Sequence, residues 1–128
     1  MNRVLVVDDE SLISKTIKTE IKEIGFDAIT AKSATQALSI FHSDSPGIVI
    51  TDLNLGGEMD GVSLCSRIRY EDKSVVVIAM SGFFSEYDKI YCLEAGFSDF
   101  LAKPIGRDDL FSAVQCAFDR RSRWKGII

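Results

Sequence analysis

The stretch Ser45-Pro46-Gly47-Ile48-Val49-Ile50-Thr51-Asp52 decides the fold. A chain breaker is followed by a run of β-branched residues and then by a single carboxylate. An alternating strand would show a polar face, whereas this run has only Thr51 as a polar residue before Asp52, so the strand is expected to be covered on both sides. Val4-Leu5-Val6-Val7 before Asp8-Asp9 and Val75-Val76-Val77-Ile78-Ala79 before Met80-Ser81 repeat the pattern. Strands are therefore expected at Val4–Val7, Ala28–Thr30, Ile48–Thr51, Val75–Ala79 and Asp99–Leu101, with the first, third and fourth central.

Segments of helical period alternate with these strands. The first helix starts near Ser11, a good cap residue, and places Leu12, Ile13, Ile17, Ile21 and Ile24 on one stripe before Gly25. The second begins at Ser33 or Thr35, with Ala37, Leu38 and Phe41 inward, and the third follows Gly61 with Val62, Leu64, Cys65 and Ile68. The fourth spans Glu86–Ala95 and closes at Gly96; the fifth runs from about Asp108 through Leu110, Phe111, Val114 and Phe118. Five strands alternating with five helices predict an α/β fold, a doubly wound parallel sheet in the order 2-1-3-4-5 with helices on both faces. At 128 residues the chain is one domain, with a body over 1–121 and a basic tail or linker start over 122–128.

Composition excludes several functions. Hydrophobic residues at 46% and charged residues at 27% match an ordinary globular domain, not a disordered one. The apolar run from Val75 to Met80 falls far short of the roughly 20 residues needed to span a bilayer, and the start has no signal-peptide core. A cytoplasmic protein without membrane contact is expected. Cys65, Cys92 and Cys116 are odd in number and lack metal spacing, so they are read as reduced thiols packed in helices. A net charge of −4 argues against nucleic-acid binding by the whole chain. Arg120-Arg121-Ser122-Arg123-Trp124-Lys125 is the local exception, either a dipole-complementing helix end anchored by Trp124 or a basic linker. His42 has no catalytic partner in sight and is read as a surface residue.

In a doubly wound sheet the ligand site lies at the carboxyl ends of the strands. Asp8 and Asp9 follow the first strand, Asp52 the third, Ser81 the fourth and Lys103 the fifth, so all five converge on one edge. Crowded carboxylates require a cation or raised pKa values, and an all-oxygen set without His or Cys points to Mg²⁺, or Mn²⁺ in its place. A carboxylate beside such a cation can attack phosphorus to give an acyl phosphate, with Lys103 and the Ser81 hydroxyl on the phosphoryl oxygens. Taken singly, each residue also has a structural reading: Asp8-Asp9 as helix cap and first-turn acid, Asp52 as a turn cap, Ser81-Gly82 as a loop, Lys103-Pro104 as a solvated cation before a helix.

Val6-Val7-Asp8-Asp9-Glu10, Ile50-Thr51-Asp52-Leu53-Asn54-Leu55, Met80-Ser81-Gly82 and Ala102-Lys103-Pro104 together resemble the signature blocks of response-regulator receiver domains, over about residues 3 to 120. The resemblance implies a flavodoxin-like fold and a two-component phosphorelay function, with Asp52 as phosphoacceptor. It implies Asp9 as direct metal ligand, Asp8 as ligand through water, and the Asn54 backbone carbonyl as a further ligand. Ser81 stands at the family's switch hydroxyl, Lys103 at its phosphate-binding lysine, and Phe100 at its aromatic switch, although a core aromatic is an equal reading of Phe100. A cis bond between Lys103 and Pro104 is implied too. Asn54 and Phe83 resemble positions that tune phosphoryl lifetime, and bulky Phe83 is expected to restrict the hydrolytic water.

The resemblance also implies the partners. The donor would be a sensor histidine kinase or histidine phosphotransfer protein. The output face, formed by the fourth helix, fifth strand and fifth helix with Tyr87, Ile90, Tyr91, Phe100 and Lys103, would serve a downstream protein or a homodimer. The chain departs from the family's pattern at Leu55-Gly56-Gly57-Glu58-Met59-Asp60-Gly61, where a Pro is commonly found and Asp-Gly comes one residue earlier.

Three other functions fit less well. A haloacid-dehalogenase-type phosphohydrolase places Asp-x-Asp after its first strand, whereas here Asp52 follows the third and Asn54 stands two on. A flavodoxin-like cofactor carrier needs a hydroxyl- and Gly-rich loop where Asp8-Asp9-Glu10 would repel phosphate. A receiver-like module that binds without phosphorylation would not need the complete acidic set. A phosphoacceptor domain rather than a turnover enzyme is therefore expected.

Overall fold

The computed structural model describes residues 3–82 and 86–127. The elements run β1 (Arg3–Val7), α1 (Ser11–Glu23), β2 (Asp27–Ala31), α2 (Ala34–Asp44), β3 (Ile48–Asp52), α3 (Gly61–Glu71), β4 (Val76–Ser81), α4 (Glu86–Ala95), β5 (Asp99–Ala102) and α5 (Arg107–Ile127). The strands form one parallel sheet in the order β2-β1-β3-β4-β5, as the alternation predicts.

The period of two along each strand sorts the apolar residues into two cores. Leu5, Val7, Val49, Val77 and Ala79 face Ala37, Leu38, Phe41, Leu64, Cys65, Ile68 and Cys92 from α2, α3 and α4. Val4, Val6, Ile48, Ile50, Ile78 and Met80 face Ile17 and Ile21 of α1 and Leu110, Ala113, Val114 and Ala117 of α5. Strands buried on both faces need continuous apolar runs, and β1, β3 and β4 supply them.

Several element details differ from the sequence reading. Glu10, not Ser11, is the N-cap of α1, and its side chain makes no capping bond. Asp8 Oδ1 instead accepts from the Glu10 amide at 2.9 Å, so the carboxylate ahead of the helix does the capping work. Leu12 is 79% exposed rather than inward, because it lies off the Ile13–Ile17–Ile21–Ile24 stripe and in line with Thr16. Phe111 is likewise exposed, one position off the Leu110–Val114–Ala117 stripe. Ser33 caps α2, its hydroxyl accepting from the Gln36 amide at 3.1 Å. Cys65 and Cys92 are buried, but Cys116 is exposed.

α5 continues past Phe118 to Ile127. Arg120 is exposed and Arg121 half-buried, and both reach across to neighbouring elements. Arg121 donates to the Ser74 hydroxyl, which donates in turn to Asp72 Oδ1 at 2.7 Å, while Arg120 Nη1 reaches the Ser98 carbonyl at 3.5 Å. The readings of Arg123, Trp124 and Lys125 as anchor or linker concern side chains outside the described residues. His42 is exposed as expected, and its Nε2 lies 2.8 Å from Glu71 Oε1 across α2 and α3.

The amino-terminal edge of the sheet is held by Arg69 of α3. Its guanidinium donates to the Gly96 carbonyl at 2.8 Å and the Ser98 hydroxyl at 2.9 Å, and also to the Val75 carbonyl. This ties the starts of β4 and β5 to the end of α4 and leaves the opposite edge to carry the site.

Candidate functional site

At the carboxyl edge, Asp8 sits one residue beyond β1, and Asp52 and Ser81 are the last residues of β3 and β4. Lys103 follows β5 directly, and its amide donates to the Ser81 carbonyl at 2.7 Å, extending the β4–β5 pairing into the site. The sheet therefore brings together the five residues selected from sequence. Asp8 is fully buried, Asp52 is 6% exposed and Ser81 is 7% exposed, while Asp9 is open to solvent. Carboxylate oxygens of Asp8, Asp9 and Asp52 all lie within 4.8 Å of one another.

Lys103 bridges the two buried acids. Its Nζ lies 2.8 Å from Asp52 Oδ2 and 3.0 Å from Asp8 Oδ2. Burial alone would lower the pKa of this ammonium. The hydrogen bonds and charges of Asp52 and Asp8 outweigh burial, and Lys103 is held above the ordinary lysine value. Counted by formal charge, three carboxylates against one ammonium leave two negative charges in the cluster. That deficit and the oxygen-only donor set fit a hard divalent cation such as Mg²⁺.

Asp52 is fixed from behind. The Asn54 amide donates to its Oδ1 at 3.0 Å, and the Thr51 hydroxyl donates to its carbonyl at 3.0 Å. The third helix starts against it: Gly61 donates its amide to the Leu53 carbonyl at 3.1 Å, and a Cβ on Gly61 would lie 2.1 Å from the Asp52 carbonyl oxygen. Only a glycine fits there. Asp60 caps α3 through a 2.8 Å bond from the Ser63 amide. Sequence reasoning noted the Asp60-Gly61 pair but not this contact, because the close approach arises from tertiary packing.

The loop between Asp52 and Gly61 sends two apolar side chains inward. Leu55 is buried, and Met59 packs on the core beneath α3. Gly57 makes the turn between them at φ +99°, a conformation that side chains rarely adopt. The Cβ position of Gly56 lies 3.6 Å from Asp9 Oδ2.

Phe100 is half-buried, between the two readings of it, with Lys89 Nζ 5.8 Å from its ring centroid. The Lys103–Pro104 bond is cis. Phe83 lies outside the described residues, as does the side chain of Tyr87. Ile90 and Tyr91 are exposed on α4. Among the described residues, no helix is long and apolar enough to cross a membrane.

Comparison with known proteins agrees with this geometry. The family model described as response regulator receiver domain matches residues 4–115. A probable transcriptional regulator, ycf27, of Guillardia theta is 32% identical over 121 residues, covering 94% of this chain and 47% of the relative. The transcriptional regulatory protein PrrA of Mycobacterium bovis is 34% identical over 119 residues, covering 93% and 51%. The chain thus spans about half the length of these curated relatives. Among solved structures, a response regulator receiver domain protein of Clostridium thermocellum superposes with a TM-score of 0.89 at 29% identity, covering 97% of this chain and 99% of that one. The receiver domain of the Francisella response regulator 1452 gives 0.87 at 31%, covering 94% and 98%.

Proposed function

Because this chain belongs to the response regulator receiver domain family of two-component systems, we propose that it accepts a phosphoryl group on Asp52 in a Mg²⁺-dependent reaction and changes its surface in response. The observation that carries this reading is the buried Asp8–Lys103–Asp52 bridge beside the exposed Asp9 carboxylate.

Asp52 is the nucleophile. One of its carboxylate oxygens bonds to the phosphorus of a phosphohistidine, and the phosphorus–nitrogen bond breaks with its electron pair returning to the imidazole, which takes up a proton. Lys103, held protonated by its two acids, follows the incoming charge from the carboxylate to a phosphoryl oxygen. The Ser81 hydroxyl, at the end of β4, contacts a second oxygen and carries the change toward Phe100. Asp9, Asp52 and the Asn54 carbonyl, with Asp8 behind them, would hold Mg²⁺, which would supply the remaining charge neutralisation when bound.

The donor is a sensor histidine kinase or a histidine phosphotransfer protein. An apolar groove of about 480 Å³ beside the site, lined by Leu12, Ile13, Pro104 and Ile105, supports docking of such a partner next to Asp52. The exposed Leu12 belongs to this groove, which gives that residue a purpose that core packing does not. Output passes through the α4-β5-α5 face to a downstream protein or a second copy, without nucleic-acid contact by this domain. We take residues 1–121 as the receiver body and 122–128 as a basic tail or linker start, with α5 running through Ile127. The protein works in the cytoplasm as a phosphoacceptor, not as a turnover enzyme.

Intact-mass measurement after incubation with acetyl phosphate tests the reading. One phosphoryl adduct is expected that needs Mg²⁺ and is absent from Asp52→Asn. No adduct on the native chain points to a binding module that works without phosphorylation, and sustained hydrolysis of small phosphoesters points to an enzyme.

A further inference from the structure

The third helix touches the candidate site at one end and the turn between α4 and β5 at the other. At its start Gly61 is pressed on the end of β3: its Cβ position lies 2.1 Å from the Asp52 carbonyl oxygen, and its amide donates to the Leu53 carbonyl at 3.1 Å. Further along, two successive turns of α3 meet the end of α4. Cys65 Sγ lies 3.8 Å from the Ala95 carbonyl oxygen, and the Arg69 guanidinium donates to the Gly96 carbonyl at 2.8 Å and the Ser98 hydroxyl at 2.9 Å. Gly96 admits this approach, because a Cβ there would lie 2.9 Å from Arg69 Cγ.

Residues 61 to 69 span about 12 Å of helix. No proline or glycine interrupts α3 after Gly61, and both ends are closed: Asp60 accepts from the Ser63 amide, and the Asp72 amide donates to the Ile68 carbonyl, each at 2.8 Å. A helix of this kind moves as a unit, and packed helices slide by about 1–2 Å when one end is disturbed. The turn at the far end, Gly96-Phe97-Ser98, joins α4 to β5, with Phe100 two residues on. Arg69 also donates to the Val75 carbonyl, so one planar group spans α3, the start of β4 and this turn, which the single nitrogen of a lysine could not do.

We propose that α3 is a second connection between Asp52 and the α4-β5-α5 face, independent of Ser81, with Arg69 as the positioning residue that passes a shift of the helix to the α4–β5 turn. The inference rests on the reading of Asp52 as phosphoacceptor. A phosphoryl group on Asp52 replaces bonds of its carboxylate, among them the one from the Asn54 amide. The disturbance then reaches Gly61 by main chain pressed on main chain, with no rotamer change needed.

The test is amide hydrogen exchange at Gly96, Phe97 and Ser98, read by NMR with and without saturating beryllofluoride and Mg²⁺ as a mimic of the phosphoryl group. The native chain, Arg69→Met and Ser81→Ala are compared, with the Asn54 amide resonance reporting that the mimic has bound. The mimic should change the three rates by at least about fivefold in the native chain and in Ser81→Ala, and by less than about twofold in Arg69→Met. Comparing each protein with and without the mimic separates coupling from any constant loosening of the turn. A native-sized response in Arg69→Met overturns the inference, as does its disappearance from Ser81→Ala or an unresponsive turn in a native chain that binds the mimic; each leaves the phosphoacceptor reading standing. Should Arg69→Met fail to fold, the Ser81→Ala comparison decides. A native chain that neither binds the mimic nor forms an adduct with acetyl phosphate removes the phosphoacceptor reading, and this inference with it.

Discussion

Gly61→Ala is the substitution that most directly tests how the site is built. A Cβ at 61 would lie 2.1 Å from the Asp52 carbonyl oxygen and 2.9 Å from Leu53 Cα. The first distance is roughly 1 Å inside any tolerable approach of carbon to oxygen, and both obstacles are main chain, so no rotamer relieves them. Either the end of β3 or the start of α3 must shift by about 1 Å. Overpacking of this kind costs about 3 kcal/mol. At about 4 °C per kcal/mol for a domain of this size, the melting temperature of the metal-free protein should fall by about 12 °C. A displacement of about 1 Å at Asp52 should also slow phosphorylation by acetyl phosphate by about 100-fold. Gly47→Ala is the control. Its Cβ would lie 2.9 Å from Arg121 Nε, the far part of a flexible side chain that can swing away, so the cost stays below about 1 kcal/mol. A Gly61→Ala protein that melts within about 2 °C of native and is phosphorylated at the native rate would refute the reasoning.

Other outcomes follow from the same geometry. The raised pKa of Lys103 means that its contribution to stability is complete below the unfolded lysine value of about 10.4 and is lost as pH rises through the higher folded value. Melting of the metal-free protein should therefore fall more steeply above pH about 10.4 in the native chain than in Lys103→Met; equal slopes would count against the bridge. Mg²⁺ should raise the melting temperature of the native protein, by about 2.7 kcal/mol of stabilisation at 100 times its dissociation constant. Asp9→Ala should show little of this shift; a full shift would remove Asp9 from the ligand set. Burial pushes the Cys65 thiol up to about 11, and burial followed by the charge of Asp88 raises Cys92, while Cys116 is exposed. Brief alkylation at pH 8 should then label Cys116 alone, with Cys65 and Cys92 reacting only after denaturation, as peptide mass mapping would report.

The parts of the fold legible in sequence are those set by local pattern. Ile48–Thr51 and Val4–Val7 declare buried parallel strands through their composition alone, and their terminal acids declare the functional edge. Leu12 and Phe111 were misplaced because each neighbours a buried stripe, and a shift of one residue turns a helical side chain by about 100°. The cap of α1 was misread because the amide it concerns is satisfied by Asp8, a residue already assigned to chemistry. Two features needed the tertiary structure. The Gly61 approach to Asp52 joins segments through packing, and the Asp72–Ser74–Arg121 chain spans 47 residues between its serine and its arginine. No local periodicity records such partners. Phe100 shows the limit at the site: an aromatic on an edge strand has the same sequence signature whether it packs or moves.

The Lys103 bridge also has a consequence for how the chain matures. It joins residues 95 and 51 positions apart, so it cannot exist until β5 has docked beside β4 and the longest loops of the topology have closed. An incomplete chain, such as one still emerging during synthesis, can present Asp52 but not the ammonium that balances it. On the proposed reading of Asp52 as phosphoacceptor, the balanced site exists only once the sheet is finished.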